Sequence, residues 1–247
     1  MVAHQIFVSR ATKTGPQLAH NQPLMGTLYL VRHGQASFGA DDYDQLSVRG
    51  SAQAVLLGQY WRERGQQFDA VLCGTLRRHA QTLQGIVQGL GQVPEPVLLP
   101  SLNEYDSHAL IKAIHPQPLP KPETPELRRQ HFRLLRDALE QWMAGTISPQ
   151  GMPDWETFST GVYESLEYVR HHHVGHNVLL ISSGGPISTA LAHVLGIAPE
   201  TAIALNMRIR NSAVSECHIS PKRLSLHTFN TVPHLDIPEH RAWETYA

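Results

Sequence analysis

A doubly wound α/β fold, its sheet mostly parallel with an antiparallel edge strand, is predicted by three features of this 247-residue chain. Short apolar runs alternate with stretches of helical spacing through the first half. Polar residues able to do chemistry stand directly after those runs, where open α/β sheets gather their ligands. Near the end, "AVSECHIS" and "LSLHTFN" flank a proline-containing turn, the pattern of two antiparallel strands.

The elements follow in order. "TLYLV" (27–31) reads as a buried strand and enters the polar, Gly- and Asp-rich loop "RHGQASFGADDYDQLSVRG". "SAQAVLLGQYWRERG" offers a helical face through Ala52, Val55, Leu56 and Tyr60. "FDAVLC" (68–73) is a second strand, and residues 76–90 have helical spacing through Leu76, Ala80, Leu83 and Val87. "PVLLP" (96–100) is short and apolar and leads into "SLNEYD". Prolines at 116, 118, 120, 122 and 125 mark residues 106–124 as a loop insertion. Thr124, Pro125 and Glu126 then make a helix start, followed by a stripe of Leu127, His131, Leu134, Leu135, Ala138 and Trp142. A helix capped by Asp154 turns Trp155, Phe158, Val162, Leu166 and Val169 inward, and the two helices are expected to form a small cap over about 106–165. "NVLLIS" (177–182) is the best candidate for a central strand. No internal repeat is visible. Residues 26–247 read as a single domain, preceded by an N-terminal extension over 1–25 that is expected to be disordered. The extension lacks an acidic residue and an apolar core of the secretory type, and Met25, just before the first strand, is an alternative start.

A net charge of −1 argues against a nucleic-acid partner, and 41% hydrophobic residues suffice for a substantial core. No apolar run approaches the ~20 residues of a membrane span. Cys73 and Cys217 both lie in apolar runs, so buried, reduced thiols in the cytoplasm are expected. The histidines of "HHHVGH" (171–176) follow a helix and read as its solvated, cation-favouring terminus rather than a metal site.

The residues at the strand ends form a phosphate-handling inventory. Arg32, His33 and Gly34 follow the first strand; Gly74, Thr75, Arg77 and Arg78 the second; Glu104 the third; Ser182 to Gly185 the fourth. The planar arginine fork suits phosphate oxygens and keeps its charge. A neutral histidine nitrogen can attack phosphorus, and a carboxylic acid can protonate the leaving oxygen and then activate water. "VLLISSGGPISTAL" (178–191) reads as strand, tight turn and helix N-terminus, a place for an anion. Ser183 is not read as a serine-hydrolase nucleophile, because "SSGGP" lacks the Gly-x-Ser-x-Gly elbow.

"LYLVRHGQAS", "YDQLSVRGSAQAVLLG", "GTLRRHAQT", "LNEYD" and "NTVPHL" together resemble the histidine phosphatase superfamily, the phosphoglycerate-mutase-like enzymes, from about residue 27 to 235 and most weakly over 106–165. The resemblance implies a three-layer α/β/α sandwich and a metal-independent phosphomonoesterase without cofactor. It implies His33 as the nucleophile that becomes phosphohistidine, Arg32 and Arg78 as grips on the phosphoryl oxygens, and Glu104 as proton donor, with Asp106 as the nearby substitute. Gly34 would leave room for the phosphate, and Ser183 and Gly184 would contact it. A phosphorylated small molecule is the implied substrate; a homodimer is common among such enzymes, and neither nucleic acid nor membrane is an implied partner.

The resemblance breaks at one position. Where the family has "SHGG", with a second histidine on the phosphoryl group, this chain has "SSGG". A serine hydroxyl donates one hydrogen bond but carries no charge, and removing one transition-state donor costs about 10²–10³ in rate. Weak activity is therefore expected unless a neighbour such as Arg210 or His234 fills in. The alternatives are a catalytically inactive relative that binds a phosphorylated ligand and, less favoured, a phosphoglycerate-mutase-type phosphotransferase. Against the latter, Gly39 stands where cofactor-dependent mutases carry asparagine, and "LNEYDSH" lacks their basic residue and Tyr-Gly pair.

Overall fold

Leu28 and Leu30 point to one side of the first strand and Val31 to the other, and all three are buried, so this strand is covered on both faces. The structure, a computed structural model, describes residues 25–37, 44–121 and 124–246. The expected N-terminal extension, apart from Met25, and Gly39 lie outside the described residues. In chain order the elements are β1 (Gly26–Arg32), α1 (Val48–Glu63), β2 (Ala70–Cys73), α2 (Arg77–Leu90), β3 (Val97–Leu98), α3 (Ser107–Ile114), α4 (Pro125–Met143), α5 (Trp155–His172), β4 (Asn177–Ser182), α6 (Gly184–Leu195), α7 (Glu200–Asn206), β5 (Val214–Ile219) and β6 (Leu224–Thr231).

The strands form one sheet in the order β3-β2-β4-β1-β5-β6. β1, β2, β3 and β4 are mutually parallel where they pair, and the antiparallel pairs β1–β5 and β5–β6 lie at one side. Helices cover both faces, which is the expected α/β architecture. α1 and α2 pack on Val31, Val71, Cys73, Leu179 and Ile181. α5 and α6 pack on Leu28, Leu30, Leu72, Val178 and Leu180. The alternation of these residues along each strand is the period-two signature of a doubly covered sheet.

α3, α4 and the start of α5 form a third cluster around Trp142, joined by Ile203 of α7. The α4 start is as expected: Thr124 accepts a hydrogen bond from the Leu127 N–H, with Pro125 in the first turn. Asp154 caps α5 in the same way through the Thr157 N–H. Val162, Leu166 and Val169 of α5 pack on the sheet, while Trp155 and Phe158 join the Trp142 cluster, so α5 spans both.

Two expectations are corrected. The stretch 106–124, read as a loop for its prolines, begins with α3, because the prolines start only at Pro116 and Asp106 caps the helix. The buried face of α1 is Gln53, Ala54, Leu57 and Trp61, with Ala52, Val55, Leu56 and Tyr60 flanking it half-exposed. Gln53 hides this: it is polar, yet fully buried, donating to the Trp243 carbonyl and accepting from the Gln35 N–H.

Candidate active site

β1 and β4 are neighbours in parallel register, with Arg32 opposite Ser182, so the residues just beyond each strand meet. β2, on the other side of β4, ends beside them at Gly74. That single arrangement brings His33, Ser183, Glu104 and the first turn of α2 to one end of the sheet.

His33 is 2% exposed, and its Nδ1 lies 2.7 Å from the Gly34 carbonyl. An Nδ1–H donated to that carbonyl leaves the Nε2 lone pair for another partner. Burial, then Arg78, Arg32 and His79, hold the His33 pKa well below the ordinary histidine value, so the ring is neutral near pH 7. Arg32 is oriented by the carbonyls of Ile209 and, at 2.8 Å, Tyr246. Arg78 pairs with Asp44 at 2.9 Å, and Asp44 also accepts from the Arg77 N–H at the start of α2. Asp44 therefore caps the helix and aims its arginine, a role that sequence reading missed. Acidic residues at a helix start are ordinary, but nothing in "YDQL" names the helix that is capped.

Glu104 is held by the Gly185 N–H, at 3.1 and 3.2 Å to its two carboxylate oxygens, at the N-terminus of α6. Burial pushes its pKa up, against the opposing pull of Arg78, the Gly185 N–H and Arg32. Neighbouring Asn103 clamps the loop by accepting from the Thr75 N–H at 2.7 Å. Asp106, weighed as a substitute acid, instead accepts from the N–H groups of His108 and Ala109 as the α3 cap.

Arg32, Arg78 and Glu104 line a cavity of about 950 Å³ beneath α3 and α4. Ile111, Phe132 and Leu135 give it an apolar wall, and Lys112 and Arg136 add positive charge. His33 and Ser183, at 2% and 0% exposure, lie behind this surface rather than on it.

Three glycines act through close packing. A Cβ on Gly34 would meet the Gly50 carbonyl of α1 at 2.3 Å, and the Gly34 N–H already donates to Thr82 Oγ1. Gly34 thus lets the loop after β1 pack against α1. A Cβ on Gly184 would meet Asn206 Oδ1 at 2.1 Å, and one on Gly185 would meet Glu104 Oε1 at 2.1 Å.

The two stand-ins weighed for a second histidine, Arg210 and His234, have these partners. Arg210 pairs with Glu244 at 2.9 Å and donates to the Asn230 carbonyl, and His234 Nε2 lies 2.8 Å from Ser212 Oγ. His79 Nε2 lies 2.7 Å from Ser183 Oγ, with both residues fully buried. His79 escapes a sequence reading because the stripe of Leu76, Ala80, Leu83 and Val87 runs along another side of α2. His79, Thr82, Ile86 and Gly89, all buried, recur at helical spacing and were the signal.

Cys73 and Cys217 are buried free thiols whose pKa burial pushes up to about 12. Of the 171–176 histidines, His171, His172 and His173 close α5, where His172 stacks on Tyr168 with ring centroids 4.4 Å apart, and His176 directly precedes β4. Among the described residues no helix is long and apolar enough to cross a membrane.

Comparison with known proteins adds the family. The model of the histidine phosphatase superfamily (branch 1) matches residues 28–232. The 2,3-bisphosphoglycerate-dependent phosphoglycerate mutases of Bartonella quintana and Mesorhizobium japonicum are 32% and 36% identical over 87 and 88 residues. Each match covers 32% of this chain and 42% of the relative, so the chain spans about two fifths of their length. Among solved structures, the alpha-ribazole phosphatase of Shigella flexneri aligns over 83% of this chain and 96% of its own, at 20% identity and TM-score 0.59. The mycobacterial glucosyl-3-phosphoglycerate phosphatase aligns over 84% and 99%, at 19% identity and TM-score 0.58. The Bacillus anthracis phosphoglycerate mutase covers 86% and 96%, at 18% identity and TM-score 0.58. These likenesses establish the fold.

Proposed function

The chain belongs to the histidine phosphatase superfamily, and on that footing we propose that it hydrolyses phosphomonoesters through a phosphohistidine on His33. The observation that carries the reading is the state of His33: Nδ1 engaged by the Gly34 carbonyl, Nε2 unprotonated, and two arginine charges close enough to depress its pKa. Nε2 attacks phosphorus as the ester P–O bond breaks, while Arg32 and Arg78 neutralise the developing charge on the phosphoryl oxygens. Glu104, whose pKa burial raises and so favours the acid form, is the group that in its protonated form gives a proton to the leaving alcohol oxygen. The resulting carboxylate takes a proton from water, which attacks phosphorus and releases His33. Phosphate binding requires the side chains at the cavity floor to part and admit it to the buried imidazole. The alcohol portion of the substrate then lies against Ile111, Phe132 and Leu135, with Lys112 and Arg136 favouring an additional anionic group.

Hydrolysis is preferred to mutase chemistry because "LNEYDSH" lacks the residues with which cofactor-dependent mutases follow their glutamate, a departure within the matched family region. The test is inorganic phosphate release from an aryl phosphate with chelator present, together with trapping of an acid-labile, base-stable phosphoenzyme. His33→Ala is expected to lower turnover by roughly 10⁴-fold or more and to abolish the phosphoenzyme, as loss of a covalent nucleophile does. Tight binding of phosphate without turnover in the wild type would instead identify a phosphate-binding relative.

A further inference from the structure

Ser183 occupies the N-cap of α6 with φ −112° and ψ 173°, the backbone from which a serine ordinarily accepts a hydrogen bond from the first helical turn. Its side chain makes no such bond. The Gly185 N–H goes to Glu104, and Ser183 Oγ is turned instead to His79 Nε2 at 2.7 Å. His79 directly follows Arg78 in α2, and its ring centroid lies 5.8 Å from that of His33. Gly74, at the end of β2, is what admits the ring: a Cβ there would come within 2.2 Å of His79 Nδ1.

We propose that His79 and Ser183 form a donor relay for the phosphoryl group that His33 receives, a role that rests on the phosphoryl-transfer reading above. The His79 Nε2–H donates to Ser183 Oγ, and the Ser183 hydroxyl proton is thereby directed at a phosphoryl oxygen. No covalent bond changes at either residue, and each proton stays with its own donor. The imidazole that the family resemblance places on the turn after β4 is supplied here from the first turn of α2, through a hydroxyl. Burial and the Arg78 charge hold the His79 pKa down to about 3, so the ring is neutral and carries a single N–H; with that proton on Nε2, the bond to Ser183 Oγ leaves the hydroxyl proton for an arriving phosphoryl oxygen. A hydrogen bond poised in a water-excluded site and aimed where charge develops is the arrangement that accelerates transfer. Restoring histidine by Ser183→His alone is therefore not expected to raise turnover, because the new ring would compete with His79 for one space.

The experiment compares wild type, His79→Ala, His79→Gln, Ser183→Ala and the double alanine variant, each checked for folding by thermal melting. The readouts are kcat and KM with an aryl phosphate and affinity for orthovanadate. For the relay, each single alanine variant lowers kcat about 10²–10³-fold with little change in KM, and the double variant loses no more than the worse single. Glutamine at 79 keeps an N–H donor and restores at least tenfold over alanine; if the alanine variant does not fold, Gln against Leu at 79 serves the same comparison. A kcat within threefold of wild type in folded His79→Ala, or losses that multiply in the double variant, overturns the relay and leaves His79 a structural partner of Ser183. Absence of turnover and phosphoenzyme in the wild type sinks the hydrolase reading separately. Orthovanadate affinity then decides the relay: at least a tenfold weakening by His79→Ala supports it, and unchanged affinity, or no binding by the wild type, overturns it.

Discussion

His33 and Glu104 carry opposite displacements, and the pH profile should read both. Burial and three neighbouring groups depress the His33 pKa, whereas burial raises that of Glu104. The productive form holds His33 neutral and Glu104 protonated, so kcat/KM should rise through the lowered histidine pKa and fall through the raised carboxyl pKa. On the proposed mechanism the optimum lies between these two limbs, and their positions report the two groups. Glu104→Gln, which cannot release a proton, should remove the descending alkaline limb and lower kcat by about 10²–10⁴-fold. An unchanged alkaline limb in that variant would assign it to another group. At this scale the sequence was informative where polar residues abut an apolar run: Arg32 ends β1 and His33 follows it, and Arg78 and Glu104 sit in short motifs. Asp44 and His79 were hidden for opposite reasons. The partner of Asp44 is far along the chain on another element, and His79 adjoins a more conspicuous arginine while pointing at a serine 104 positions away.

Among the elements, α2 sets the position of Arg78 and His79, and its own position depends on glycines. A Cβ on Gly89 would meet the Val55 carbonyl of α1 at 2.2 Å, and one on Gly58 would meet the Ile86 carbonyl at 2.2 Å, so the two helices touch backbone to backbone. Backbone oxygens cannot swing aside as side chains do, so Gly89→Ala must push the helices apart. It should destabilise the fold by about 1–3 kcal/mol in urea denaturation, as overpacking does. Gln84→Ala, on the exposed face of the same helix, should stay within about 0.5 kcal/mol. Equal stability of both variants would show that the helices separate without cost. This contact also explains what was legible. Strands read correctly because their alternation is apolar on both faces, as in β1 and β4. The helix faces of α1 and α2 read less well because glycine, Gln53 and the polar turn at His79 fill their buried sides. α3 was obscured by the prolines that follow it.

The whole molecule folds around histidines that are neutral because they are buried, and its acid stability should show it. His79 and His234 have pKa values lowered from 6.5 to about 3 in the folded chain, and that of His33 is lowered well below 6.5. Between about 6.5 and about 3 the unfolded chain binds protons at these positions that the folded chain does not. Unfolding free energy is therefore independent of these groups above pH 6.5 and falls as pH drops, by on the order of 1 kcal/mol per pH unit for each proton. Glu104 acts in the opposite sense: its raised pKa makes the folded chain bind the extra proton as pH falls past that value, which offsets one histidine. Burial also lowers the pKa of His131 and His173, so five depressed histidines stand against one raised carboxyl and leave a net loss toward acid. Urea midpoints measured from pH 7.5 down to pH 5 should fall steadily below about 6.5. His234 lies outside the phosphate-handling group, with Nε2 2.8 Å from Ser212 Oγ, so it tests the cause without touching the chemistry. His234→Asn should flatten the decline by about one proton while leaving the pH dependence of turnover in place. A slope identical to wild type would mean that this histidine titrates alike in the folded and unfolded chains, and that the acid sensitivity arises elsewhere.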